Sequence, residues 1–253
     1  MRDQRDEPER NDPCGPALSI IVPAHNSGVR LEDTVELLRR ELADSDVEVI
    51  IVENGSADDT WDVARRLVGV DGPVRVIACQ SPVGLGAAYR EGVRRASGRT
   101  LLLTADDLPF GLTDIDSWRR AGAVTEAVVI GSKAHRASRV PRSLLRSVMS
   151  GGYRFLRWLV LGMTVADCQG TIFAPRDWLV AQLPNLRDDG YLVSTEIVYL
   201  AQLQGIPVVE VPVTLAPRHD DGKTRIRLGD VRDMAVGLFG LRARRRQLRL
   251  TGH

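Results

Sequence analysis

The sequence predicts an α/β fold: a doubly wound, mostly parallel sheet with helices on both faces. Three observations carry that reading. Short, continuous Val/Ile/Leu-rich runs recur along the first 131 residues, helical patterns lie between them, and polar or glycine-bearing turns follow them. Strands covered on both faces read as unbroken apolar runs, and parallel neighbours need a crossover, usually a helix.

In chain order the strand runs are 18–22 (LSIIV), 47–52 (VEVIIV), 74–78 (VRVIA), 100–104 (TLLLT) and 127–131 (AVVIG). Helical patterns cover 31–42, about Asp58 to Val68, and a stretch beginning near Gly84. Beyond Ser132 the alternation weakens into a basic region, a run GTIFA at 170–174, a helix from Leu192 to Gln204 and a strand VVEVPV at 208–213. Sheets of this type bind ligands beyond the carboxyl ends of their strands, so the residues after each strand are the candidates for chemistry.

Composition sets the outer limits. With 253 residues, 26% charged and 43% apolar, the chain reads as one globular domain of ordinary composition. A net charge of +1 gives no global attraction to nucleic acid, so charge must act locally. It is concentrated: no acidic residue lies between Glu126 and Asp167, where Lys133, Arg136, Arg139, Arg142, Arg146, Arg154 and Arg157 fall. Cys14, Cys79 and Cys168 are too scattered for a disulfide framework or a zinc site, which suits a reducing cytoplasm. The charged, proline-bearing start reads as a disordered lead over 1–16 and not as a signal peptide. The longest apolar stretch, Trp158 to Ala166, is too short to cross a bilayer.

The strand-end loops carry the candidate chemistry. After the first strand, Pro23-Ala24-His25-Asn26-Ser27-Gly28 is a turn of small and polar residues that lets backbone approach a ligand. The second strand ends in Glu53-Asn54-Gly55-Ser56, where a carboxylate is placed to accept from a base N–H or a ribose hydroxyl, while Asp58 suits a helix cap. Gly84 and Gly86 open the next helix, whose amino end favours an anion; the spacing is not that of a dinucleotide fingerprint and follows the third strand, which argues against an oxidoreductase. The fourth strand empties into Ala105-Asp106-Asp107, hard oxygen ligands suited to Mg²⁺ or Mn²⁺ bridging a diphosphate. His25, His135 and His219 have no partner at metal-ligand spacing and read as structural or surface residues.

Taken in order, SIIVPAHN, IIVENGSADDT, GLGAAYREGV and LLLTADDLPF resemble the nucleotide-binding half of family 2 glycosyltransferases of the GT-A fold. GSKAH, the arginine-rich stretch, DCQGTIF, GYLVSTEIVYLAQLQGIPVVEVPV and GKTRIR look like the polyprenyl-phosphate hexose synthases, nearest to the dolichyl-phosphate glucose synthases. The resemblance covers about 17–240: a nucleotide-binding half at 17–131 and an acceptor half at 132–240, with a basic tail from 241 to 253.

The resemblance implies site roles position by position. Pro23, Ala24 and Glu53 would hold the base, with Asn26, Gly55, Ser56, Gly84, Gly86 and Arg90 also on the donor. Asp107 would be the metal ligand and Asp106 its donor-facing neighbour, although the family's Asp-Ala-Asp is Ala105-Asp106-Asp107 here. Asp167, Gln169 and Glu196 would join the two aspartates as catalytic residues. Lys133, Arg139, Arg142, Arg218, Lys223 and Thr224 would meet the acceptor phosphate and the diphosphate. The implied reaction is inverting transfer of a hexose from a nucleotide diphosphate sugar, UDP favoured, to a polyprenyl phosphate on the cytoplasmic membrane face. A soluble enzyme with a small acceptor, or a silent nucleotide-sugar-binding partner subunit, is the alternative.

Membrane contact has its own signal. Leu144, Leu145, Val148, Met149, Phe155, Leu156 and Leu159 fall on one helical face and Arg142, Arg146, Arg154 and Arg157 on another, the pattern of an interfacial basic helix, with Gly151-Gly152 placed to bend or split it. The same face suits a second copy or a membrane partner protein. A second stripe, Val231, Met234, Ala235 and Leu238, precedes the terminal arginines.

Overall fold

The computed structural model describes residues 15–70, 72–140, 144–216 and 228–250, without the side chains of 144–148, 228, 230 and 231. Most of the expected lead, Arg142, Arg218, His219, Lys223 and Thr224 lie outside the described residues.

Seven strands form one sheet: β1 (Leu18–Ala24), β2 (Val47–Glu53), β3 (Arg75–Gln80), β4 (Thr100–Leu103), β5 (Val128–Ser132), β6 (Thr171–Pro175) and β7 (Val208–Pro212). Their order is β3-β2-β1-β4-β6-β5-β7. All neighbours are parallel except at β6, which runs antiparallel to β4 (Thr100 opposite Pro175) and to β5 (Val129 opposite Phe173). The start of β6 therefore meets the carboxyl ends of β4 and β5. That is how the segment before Thr171 reaches the mouth of the sheet.

Alternate strand residues feed two cores. Leu18, Ile20 and Val22 pack with α1 (Gly28–Glu41), α2 (Thr60–Val68) and α4 (Thr113–Arg120). Ile21, Ile50 and Val52 face α3 (Leu85–Arg95), α5 (Leu144–Leu161), α6 (Arg176–Gln182), α7 (Val193–Leu203), α8 (Leu228–Ala243) and α9 (Arg245–Leu250). Each fully buried isoleucine of the central strands stabilises the domain by about 1.5–3 kcal/mol.

Three helical expectations change. α5 runs unbroken through Gly151 and Gly152. Its faces also divide differently from the pattern: Phe155, Trp158 and Leu159 are exposed beside Arg154, whereas Leu156 turns inward and Arg157 is 2% exposed. Arg157 tolerates burial because Cys168, the Ala166 carbonyl and the Tyr153 ring surround its guanidinium. In the C-terminal stripe Met234 and Leu238 pack into the core, and Leu241 and Leu248 of the expected tail join them. The chain thus continues as packed helix to Leu250.

Candidate active site

The mouth of the sheet is built first by the β1 turn. Asn26 adopts a positive φ of 51°, donates its N–H to Ser56 Oγ at 3.0 Å and accepts from the Ala57 N–H at 2.8 Å. His25 Nδ1 lies 3.1 Å from the Asn54 carbonyl, and the Ala24 carbonyl accepts from the Asn54 N–H at 3.0 Å. The turns after β1 and β2 are thereby laced together at Asn26, Gly55 and Ser56, with Pro23 and Ala24 buried beneath them at the end of β1. Asp58 accepts from the Thr60 N–H at 3.0 Å and from its hydroxyl, at the start of α2.

Glu53 is buried at the end of β2. Its oxygens accept from the Ser56 N–H and, at 2.8 Å, from the Gln80 amide. Burial alone would raise its pKa; the bonds from Ser56 and Gln80 outweigh burial and hold the carboxylate below its ordinary value.

The aspartates after β4 lie in one turn and have different surroundings. Asp106 is 2% exposed, accepts from Ser27 Oγ, sits 3.6 Å from Arg30 and offers its carbonyl to Thr34 Oγ1 at 2.6 Å. It holds the start of α1 through Ser27, Arg30 and Thr34. Asp107 is half-buried, and its charge helps raise the pKa of Tyr89 on α3, although burial is the larger cause. Tyr89 in turn donates to the Thr104 carbonyl at 2.9 Å.

Gly84 and Gly86 make room for protein. A Cβ on Gly86 would stand 1.9 Å from the Asp188 carbonyl oxygen, and one on Gly84, where φ is 126°, 2.2 Å from that of Asp189. The Gly86 N–H donates to the Asp189 carbonyl at 2.8 Å. Arg90 donates to the Asp188 carbonyl at 2.8 Å and pairs with the Asp189 carboxylate. The expected donor-facing glycines and Arg90 therefore seat the 188–189 loop. Sequence reasoning missed this acidic pair, whose adjacency before a helix was the available signal.

Glu196, expected to be catalytic, is 2% exposed on α7. Its Oε2 accepts from the N–H groups of Arg187 and Asp188 at 3.0 Å, and its Oε1 from Arg244 at 2.9 Å. Burial raises its pKa, opposed by those partners. It fastens the same loop from below, and nothing in the sequence pattern joined it to Arg244.

Across the mouth, the Lys133 N–H donates to Asp167 at 2.9 Å and Lys133 Nζ to the Gln169 carbonyl at 2.9 Å. Asp167 also accepts from the Gln169 N–H at 2.8 Å; both side chains are half-buried. Arg139 is exposed, its backbone bonded to Val213 and Leu215 beyond β7.

Among the described residues no group of three or more His, Cys, Asp or Glu forms a ready metal cluster. Asp106 is engaged at α1, and Asp107 lies half-buried in the same loop. One or two carboxylates plus substrate phosphates is the usual donor set for Mg²⁺, so these residues fit a metal bound together with a diphosphate.

The family model for glycosyl transferase family 2 matches residues 19–180, more than half of the chain. The chain belongs to glycosyltransferase family 2. The family span takes in Glu53, Asp107, Lys133, Asp167 and Gln169 but stops before Glu196. The mouse dolichyl-phosphate beta-glucosyltransferase is 30% identical over 218 residues, covering 78% of this chain and 66% of the relative. The Drosophila melanogaster protein of that description is 30% identical over 229 residues, covering 81% and 69%. This chain thus spans just under two thirds of the mouse relative. A glucosyl-3-phosphoglycerate synthase of Mycobacterium tuberculosis, solved with Mn²⁺, UDP-glucose and phosphoglyceric acid, superposes with a TM-score of 0.64 at 19% identity, covering 91% of this chain and 80% of that one. That likeness shows the fold, a GT-A type sheet.

Proposed function

We propose that this family 2 enzyme transfers a hexose from a UDP-sugar to a polyprenyl phosphate, with inversion, at the cytoplasmic membrane face. The observation that carries the reading is the strand-end mouth, where Lys133, Asp167 and Gln169 are bonded together beyond the ends of the same sheet as Glu53 and Asp107. The relatives described as dolichyl-phosphate beta-glucosyltransferases support the acceptor class.

The laced turns with Pro23, Ala24, Asn26, Glu53, Gly55 and Ser56 frame the base and ribose. Asp107 would hold Mg²⁺ or Mn²⁺, which when bound neutralises the departing nucleotide's charge. Asp106, Arg90, Gly84, Gly86 and Glu196 act indirectly, by fixing α1 and the 188–189 loop. Asp167 and Gln169 face the sugar. Lys133 and Arg139, with Arg142, Arg218, Lys223 and Thr224 outside the described residues, serve the acceptor phosphate and the diphosphate.

A phosphate monoester is already anionic at neutral pH, so no strong general base is needed to make it attack the anomeric carbon. The protein's task is to hold two anions in line, by position and by cationic charge. Exposed Phe155, Trp158 and Leu159, flanked by Arg154, support contact with a lipid surface. No helix among the described residues is long and apolar enough to cross a membrane.

The test is purified protein with Mn²⁺ or Mg²⁺, radiolabelled UDP-glucose and a short-chain polyprenyl phosphate. The expected result is a solvent-extractable β-linked sugar lipid. Nucleotide release only with water-soluble acceptors would overturn the lipid assignment, and donor binding without turnover would overturn the enzyme assignment.

A further inference from the structure

The loop carrying Asp167 and Gln169 is held by Glu210 and Arg157, neither of which is among the expected site residues. Glu210 lies on β7 opposite Ile130. Its Oε1 accepts from the Ser132 hydroxyl at 2.6 Å and the Asp167 N–H at 3.1 Å, and its Oε2 accepts from the Ala166 N–H at 3.1 Å. Arg157 comes from the opposite side, on the inward face of α5. It donates to the Ala166 carbonyl at 3.2 Å and to Cys168 Sγ, and its guanidinium lies 5.4 Å from the centre of the Tyr153 ring.

Ala166 is thus pinned at both ends of its backbone, its N–H by an anion and its carbonyl by a cation. Asp167, the next residue, shares the anion. The hold extends outward: Tyr153 Oη meets Thr195 Oγ1 at 3.0 Å, and the Gln169 amide lies 3.5 Å from that oxygen and 3.4 Å from the Tyr191 carbonyl. With Lys133 on Asp167 and on the Gln169 carbonyl, the loop has partners on every side.

We propose that Glu210 and Arg157 are a two-sided grip that sets the reach of Asp167 and Gln169 toward the sugar. Both are positioning residues: they act through the loop and touch no reactant. The inference rests on the proposed transferase reading. Bonds to charged groups are the stronger class, and a buried charge deprived of its partners costs more than the bond itself, so the loop has little freedom to settle elsewhere. Misplacing a reacting group by about 1 Å can cost about a hundredfold in rate.

The experiment uses the full chain and pairs steady-state kinetics with amide hydrogen exchange of the 160–175 region, comparing wild type, Glu210→Ala, Glu210→Gln and Arg157→Lys. Glu210→Ala is expected to lower kcat about a hundredfold with donor KM within about twofold. Glu210→Gln keeps one acceptor oxygen for Asp167 and Ser132 and should recover to within about tenfold of wild type. Exchange at 166–169 should quicken by about tenfold or more in Glu210→Ala and Arg157→Lys, with the remaining peptides unchanged. Wild-type kcat in folded Glu210→Ala, or unchanged exchange at 166–169, would overturn the grip. If Glu210→Ala does not fold, Arg157→Lys and Glu210→Gln decide the matter by the same readings. An inactive wild type would instead count against the transferase reading, while the exchange result still judges the grip.

Discussion

Asp114 offers a quantitative check on the interior beside the site. It opens α4, is 3% exposed and lies against Gly131, where an added Cβ would stand 3.3 Å from its own. Burial pushes its carboxyl from 3.8 up to about 6; the Thr171 hydroxyl and the Ile115 N–H oppose the rise. Because the folded pKa lies above the unfolded one, the group's stabilising contribution is fully present below the unfolded pKa and is lost as pH rises through about 6. Two units correspond to about 3 kcal/mol over the full window, and to about 2 kcal/mol between roughly pH 4.5 and 7.5. Asp114→Asn removes the titration while keeping an acceptor for Ile115. Urea unfolding of wild type and variant at both pH values should therefore show the variant gaining about 2 kcal/mol relative to wild type at the higher pH. A difference between the two proteins that stays constant with pH to within about 0.5 kcal/mol would refute the reasoning.

Further predictions concern the site itself. Asp107→Asn should lower turnover about a hundredfold or more with stability within about 1 kcal/mol, whereas Asp106→Asn should cost about 1–3 kcal/mol of stability through Ser27 and Arg30; calorimetry and the sugar-lipid assay separate them, and the reverse pattern would refute the division of roles. Arg244→Met strands the buried Glu196 carboxylate and should destabilise by about 2–4 kcal/mol, much of it recovered when Glu196→Gln is added; strictly additive effects in denaturation would contradict the pairing. Phe155→Ser with Trp158→Ser should weaken sedimentation with anionic vesicles about tenfold or more while leaving the melting temperature in place, and undiminished binding would exclude this face as the contact.

Much of the fold was legible because burial on both faces leaves apolar runs that need no tertiary information to read. The exception is instructive: GTIFA reads as a strand, yet its antiparallel insertion between β4 and β5 is a property of the topology and leaves no periodicity. The strand-end positions of Glu53 and Asp107 were legible because they follow apolar runs. What the sequence hides is a polar residue satisfied by protein over a long sequence separation. Glu196 meets Arg244 and Asp106 meets Ser27 by pairings that only the fold creates. Arg157 shows the same limit on a helix. Its charge predicts solvent, and Tyr153 on its own helix together with Ala166 and Cys168 on the following loop reverse the expectation.

The turn after β4 gives the two aspartates different surroundings. β4 ends at Leu103, and residues 105–108 form a turn closed by the Leu108 N–H on the Ala105 carbonyl at 3.1 Å; in it the Asp106 side chain meets Ser27 and Arg30 at α1, while the charge of Asp107 acts on Tyr89 of α3. The α3 face is also where α5, α7, α8 and α9 pack, and where Arg90 and Glu196 hold the 188–189 loop. A ligand held at Asp107, as proposed, would share that face, and Asp106 stabilises the turn after β1 from the α1 side. In the proposed transferase it is Asp107, and not the α1-bound Asp106, that would meet a metal and a diphosphate.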